Sequence, residues 1–151
     1  MKVLENTIAK KDLNPLSQKL VNQITFQIIG AAIEIHKEMG SGLLESVYHQ
    51  CMMEELKDRG LSFKSEFKIP VVYKTKELSV DFRCDLLVED TVVVELKAVN
   101  EFVPVFEAQL ITYMKLLKSP KGVLISFNCD HIFRSGQKTF VNEYYRQLPE
   151  L

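Results

Sequence analysis

A single α/β domain, with a mixed β-sheet flanked by helices, is the fold class this sequence predicts. Three observations point to it. Two stretches with apolar residues at helical spacing open the chain, and three stretches of strand character follow them. A third helical stretch then leads into a short, continuously apolar run, giving the order ααβββαβ. At 151 residues one domain is expected, covering residues 17–151 behind a polar arm over residues 1–16.

Each element has its own signal. Ser17 is placed to cap a helix running to about Met39, with Ile24, Ile28, Ala31 and Ile35 at helical spacing. Phe26, Ile29 and Ile33 widen that stripe, which predicts burial on more than one side. Gly40-Ser41-Gly42 breaks the chain. A second helix is expected from Leu43 to Arg59, with Leu44, Val47, Tyr48, Cys51 and Leu56 facing inward and Gly60 closing it.

The period then shortens. Phe67 to Tyr73 and Leu78 to Val88 read as strands, the second alternating Val80, Phe82, Cys84 and Leu86 with Asp81, Arg83 and Asp85. Glu89-Asp90 reads as a turn and Thr91 to Lys97 as a third strand. Pro104 suits the first turn of a helix ending near Lys118, before Ser119-Pro120. Val123 to Phe127 reads as a strand buried on both faces. Past it, Ser135-Gly136 marks a turn before a last short strand or helix.

Composition narrows the function classes. Apolar residues make up 46% and charged residues 26%, as in an ordinary globular protein. The net charge of −1 lacks the basic excess usual for a broad nucleic-acid-binding surface, so any such contact must come from a local patch, be weak, or need a protein partner. Cys51, Cys84 and Cys129 are far apart and at no metal-finger spacing, which predicts reduced thiols. With no secretory leader and no stretch long enough to span a membrane, the expected location is the cytoplasm.

Charged side chains interrupt strands that are otherwise apolar. In Val92-Val93-Val94-Glu95-Leu96-Lys97, Glu95 and Lys97 fall on one strand face. Asp85 joins that face if the turn between the strands uses three residues, and leaves it if the turn uses two. Two carboxylates with a lysine can bind magnesium or manganese, polarise a phosphoryl group and stabilise developing negative charge. The plainer reading is a salt bridge between Lys97 and a carboxylate on a solvated strand face.

An Asp followed on the next strand by Glu-x-Lys resembles the PD-(D/E)XK nuclease superfamily. More narrowly, Gly42-Leu43-Leu44-Glu45-Ser46-Val47-Tyr48 resembles the motif of the GxxExxY protein family within it. The segments 83–90, 94–98 and 107–113 are similar to further blocks of that family, and the likeness covers roughly residues 20–142. The resemblance implies a restriction-endonuclease-like core, with Asp85 and Glu95 as metal ligands and Lys97 as the catalytic lysine. It makes Glu45 a third metal ligand and matches Gln109 and Tyr113 to a Gln-x-x-x-Tyr pair bordering the cleft. It also sets His36 near the site, although a histidine at a helix C-terminus has a sufficient reason in the helix dipole. The family's Asn-Phe at the end of the fourth strand is replaced by Ser126-Phe127.

The function expected is therefore an Mg2+- or Mn2+-dependent nuclease acting on nucleic acid, DNA before RNA. The alternative is a non-catalytic scaffold that keeps the nuclease fold and works through a protein partner.

Overall fold

The order of elements follows the predicted one, with additions at a hairpin and at the C-terminal end. The computed structural model describes residues 15–151, so all but the last two residues of the expected arm lie outside the described residues. Helix α1 spans Gln18–Met39, and the Ser17 hydroxyl accepts the Leu20 N–H at 3.1 Å. Its buried stripe includes Ile24, Ile28, Ala31 and Ile35. Phe26 and Ile33 are exposed, so the helix buries one face and not several.

Helix α2 spans Glu45–Asp58, starting two residues later than expected because Leu44 occupies the N-cap in an extended conformation. Leu44 is therefore exposed and does not join the inner stripe. Gly60, at φ +73°, closes the helix as anticipated, with the Leu61 N–H on the Leu56 carbonyl at 2.9 Å.

Strand β1 is Phe63–Lys68, four residues ahead of its predicted start. The predicted strand to Tyr73 ends early because Pro70 has no N–H to give a ladder. Val72–Tyr73 (β2) and Lys76–Glu77 (β3) instead form a separate hairpin. Strand β4, Arg83–Val88, is shorter than the predicted 78–88, since the regular β1–β4 ladder ends at Lys68↔Arg83 and an isolated bond, from the Ile69 N–H to the Phe82 carbonyl, follows it. Strand β5 is Val92–Lys97 and helix α3 is Pro104–Leu117, with Pro104 in its first turn and Lys118 left-handed at its end. Strand β6, Lys121–Ser126, begins two residues before the apolar run. A short helix α4 (Ile132–Ser135), strand β7 (Gln137–Val141) and helix α5 (Glu143–Arg146) complete the chain.

The main sheet has the order β1-β4-β5-β6-β7, with β5 and β6 parallel and the other pairs antiparallel. Helices α1 and α2 cover one face, against Leu86, Val88, Val92, Val94, Leu96, Val123 and Ile125. Helix α3 covers the other through Leu110, Tyr113 and Met114, against Leu87, Val93 and Leu124. The helix lies close to the sheet there because β6 carries Gly122; a Cβ on it would meet Met114 Sδ at 2.5 Å and Leu110 at 3.0 Å. Tyr48 of α2 stacks on Phe127 with ring centroids 4.2 Å apart, and its hydroxyl donates to the Gly40 carbonyl at 2.6 Å.

Candidate active site

The turn between β4 and β5 decides which residues meet. Val88 pairs with Val92, leaving Glu89, Asp90 and Thr91 between them, which is the three-residue case. The register then runs Leu87↔Val93 and Leu86↔Val94, and the next position brings Asp85 beside Glu95. The paired ladder ends there. In its place the Asp85 N–H donates to Glu95 Oε2 at 2.7 Å, and the Leu96 N–H donates to Asp85 Oδ2 at 2.7 Å. Two side-chain carboxylates thus hold main-chain N–H groups that carbonyls would otherwise take.

Glu95 shares the α3-facing side of β5 with Val93 and is only 4% exposed. Burial, then the charge of Asp85, pushes its pKa from 4.5 up to about 8, against the pull of the Asp85 N–H and of Lys97. Lys97 lies on the same side, its Nζ 4.4 Å from the centroid of the Phe106 ring on α3. Tyr113 is buried over the pair, and desolvation with the charges of Glu95 and Asp85 raises its pKa to about 12. Gln109, one turn earlier, donates to the Tyr113 hydroxyl at 2.7 Å. Cys84 is buried beside the carboxylates, and burial followed by their charges pushes its thiol up to about 12.

Of the residues singled out by sequence, Asp85, Glu95, Lys97, Tyr113 and, through Tyr113, Gln109 are brought together. Glu45 is exposed in the first turn of α2. No group of three or more His, Cys, Asp and Glu suited to a metal ion occurs among the described residues, so two carboxylates form the cluster. His36 is held in another contact: its Nε2 is 2.9 Å from the Cys129 carbonyl, which also accepts the Ser41 hydroxyl, and together they pin the loop after α1.

Sequence reasoning missed three neighbours. Phe106 underlies Lys97, but a phenylalanine in the first turn of an apolar helix reads as core. Cys84 reads as a small buried residue and is one, with the added feature that it lines the carboxylates. Ser126 takes the Val99 N–H at 3.0 Å and donates to the Val99 carbonyl at 2.6 Å, fixing the chain as it leaves Lys97. A cavity of about 850 Å³, lined by Gln18, Asn22, Phe26 and Leu151 among others, includes none of these residues.

A mixed sheet flanked by helices, with paired carboxylates and a lysine where two strands part, defines a restriction-endonuclease-like fold. The chain belongs to the PD-(D/E)XK nuclease superfamily, whose family model matches residues 22–139. Among solved structures, the crystal structure of SSO0001 is similar at 18% identity and a TM-score of 0.48, over 64% of this chain and 49% of that one. The match thus spans about half the length of that protein. No curated protein matches the chain. Among the described residues no helix is long and apolar enough to cross a membrane.

The raised Glu95 pKa has a measurable consequence. The folded, metal-free protein holds this proton more tightly than the unfolded chain does, so the contribution is full below about 4.5 and is lost as pH rises through about 8. The thermal midpoint of metal-free wild-type protein, referenced to Glu95→Gln, is expected to fall over that window. A flat difference between the two melting curves across it would mean that Glu95 is ionised in the fold at ordinary cost.

Proposed function

We propose that the protein is a nuclease that hydrolyses phosphodiester bonds, DNA being the first candidate substrate, with a magnesium or manganese ion held by Asp85 and Glu95. The observation that carries this reading is the meeting of Asp85 and Glu95, where the almost wholly buried Glu95 carboxylate accepts the Asp85 N–H and the Asp85 carboxylate accepts the Leu96 N–H, on the sheet face that also bears Lys97. A pair of this kind is costly without a counter-charge, and carboxylate oxygens are the hard ligands such ions prefer. When bound, the ion supplies charge neutralisation and Lewis acidity at a phosphoryl oxygen.

The chain's own residues do the rest. Lys97 presents its ammonium to the negative charge that develops as water adds to phosphorus. The Phe106 ring keeps that ammonium on the α3 side of the sheet. Tyr113, braced by Gln109, borders the site and limits the water around Glu95. Glu45 and His36 stand outside this set. The completeness of Asp85, Glu95 and Lys97 supports the enzyme over the scaffold reading.

The segment Gly42 to Tyr48 supports placing the chain in the GxxExxY group. Gly42 adopts φ +92°, and Tyr48 anchors the loop through Phe127 and the Gly40 carbonyl. A cytoplasmic location, with nucleic acid engaged through a local patch or a protein partner, accords with the near-neutral charge.

The test is cleavage of linear, circular, double- and single-stranded substrates by purified protein. Chelation is expected to abolish activity and magnesium or manganese to restore it; inactivity across that screen would refute the enzyme. A separate expectation concerns Asp85→Asn. The amide oxygen still accepts the Leu96 N–H while one charge leaves the pair. The variant should keep its metal-free thermal midpoint and lose the metal-induced rise seen in wild type. A large drop without metal would make Asp85 a structural residue instead.

A further inference from the structure

We propose that the β2–β3 hairpin is the tip of a two-stranded arm that enters the major groove of duplex DNA beside the active site. The proposal rests on the nuclease reading for its partner and goes beyond it in naming the surface and the nucleic-acid form.

The arm is continuous with the sheet. Strands β1 and β4 pair as far as Lys68↔Arg83, two positions past Asp85. The Ile69 N–H then donates to the Phe82 carbonyl at 2.7 Å and the Leu78 N–H to the Val71 carbonyl at 2.8 Å. Val72↔Glu77 and Tyr73↔Lys76 carry the pairing on to a tip at Lys74-Thr75. Along the shorter leg, from Lys68 to Lys74, a rise of about 3.3 Å per residue gives a reach of at most about 20 Å. The arm therefore begins at the end of the sheet that carries Asp85 and extends away from it.

Only the base of the arm belongs to the core, where Ile69 is buried and the Phe82 ring meets Tyr113 edge-on at 4.7 Å. Residues 72–81 are all exposed, and Val72 and Tyr73 are 59% and 62% exposed. Lys74 sits at φ +57°, a region that glycine or asparagine enters more easily, so the turn carries a lysine at some conformational cost. Its ammonium is 5.5 Å from the Tyr73 ring centroid. The acids of the arm lie back from the tip: Glu77 opposite Val72, and Asp81 in an ion pair with Arg83 at 2.9 Å. Tyr73, Lys74 and Lys76 thus give the tip a positive end with an aromatic face, on a protein of net charge −1. A two-stranded ribbon fits the major groove of B-form DNA, while the deep, narrow groove of A-form RNA excludes it. Lysines at its tip would meet phosphates.

The experiment compares wild-type protein with a triple variant, Tyr73→Ala, Lys74→Gly and Lys76→Gln, in chelator. Binding to one sequence is measured as duplex DNA, duplex RNA and single-stranded DNA, over a range of salt. The triple variant is expected to lose duplex-DNA affinity by roughly tenfold or more and to flatten the salt dependence by about two units of log–log slope. Duplex-RNA binding and the thermal midpoint should stay unchanged, since the tip supports no core. Lys74→Gly alone should keep or raise the midpoint while weakening duplex-DNA binding. Unchanged duplex-DNA affinity and slope would overturn the proposal, as would equal losses on duplex DNA and RNA, or a loss confined to single strands. Cleavage with magnesium separates the two readings. If wild type and triple variant cut duplex DNA with the same KM, the arm proposal fails and the nuclease stands. If the arm binds duplex DNA but wild type cuts nothing, the nuclease fails and the arm stands.

Discussion

Lys97→Ala is expected to lower the single-turnover rate of DNA cleavage by roughly 10²–10³-fold, the usual size of the effect when one group stabilising transition-state charge is removed. The side chain lies half-buried on the carboxylate face with its ammonium over Phe106. Losing that ring contact costs about 0.5–1 kcal/mol, so the variant should fold and bind metal nearly as wild type does. The same comparison identifies contaminating nuclease, because contamination would survive in the variant. Wild-type rates from a folded Lys97→Ala preparation would remove the lysine from the chemistry. Glu95→Gln should be comparably inactive for a different reason. It loses the charge that faces the ion, and its rate should recover less at raised manganese than that of a variant outside the carboxylate pair.

Tyr48→Ala is expected to cost about 3–5 kcal/mol of stability, the range for truncating a large buried aromatic. The ring is fully buried and stacked on Phe127, an arrangement that adds about 0.5–1.5 kcal/mol beyond area alone. Its hydroxyl donates to the Gly40 carbonyl and accepts the Leu43 N–H at 3.2 Å. Tyr48→Phe keeps the stack and strands those two partners, at about 1–3 kcal/mol. Urea titration separates the two variants. The loss reaches the site as well, because the Phe127 N–H donates to the Lys97 carbonyl at 3.0 Å. A Tyr48→Ala protein as stable as wild type would mean that the loop after α1 closes without its anchor.

Much of this was legible in the sequence because it was written in period and punctuation. Ser17 and Gly60 marked helix ends through capping chemistry, and the valines of β5 marked a buried strand. The meeting of Asp85 and Glu95 was legible only conditionally. It hung on a three-residue turn, and Glu89-Asp90 announces a turn without stating its length. Glu89 and Asp90 both adopt positive φ, and Glu89 accepts the Ser62 N–H at 2.8 Å, a tertiary bond that no local pattern encodes. The start of β1 was hidden because Lys64-Ser65-Glu66 is polar on an edge strand, where only Phe63 and Phe67 face inward. Val72 and Val80 misled for the opposite reason: they look like core strand and stand in solvent on the arm. Glu45 shows the limit of a motif. Its place in the first turn of the second helix was foreseen, but its exposure there is set by how the helix packs.

The carboxylates of Asp85 and Glu95 each hold a main-chain N–H where the β4–β5 ladder gives out. The charge state of the centre is therefore written onto two amide protons, those of Asp85 and Leu96. A hydrogen bond to an ionised oxygen is shorter and stronger than one to a neutral oxygen. Protonating Glu95, or drawing its oxygens toward a cation, should move both resonances and alter their exchange with solvent. Two backbone signals in a nuclear magnetic resonance spectrum thus become a gauge of the centre, readable with no substrate present and before any phosphodiester is cut.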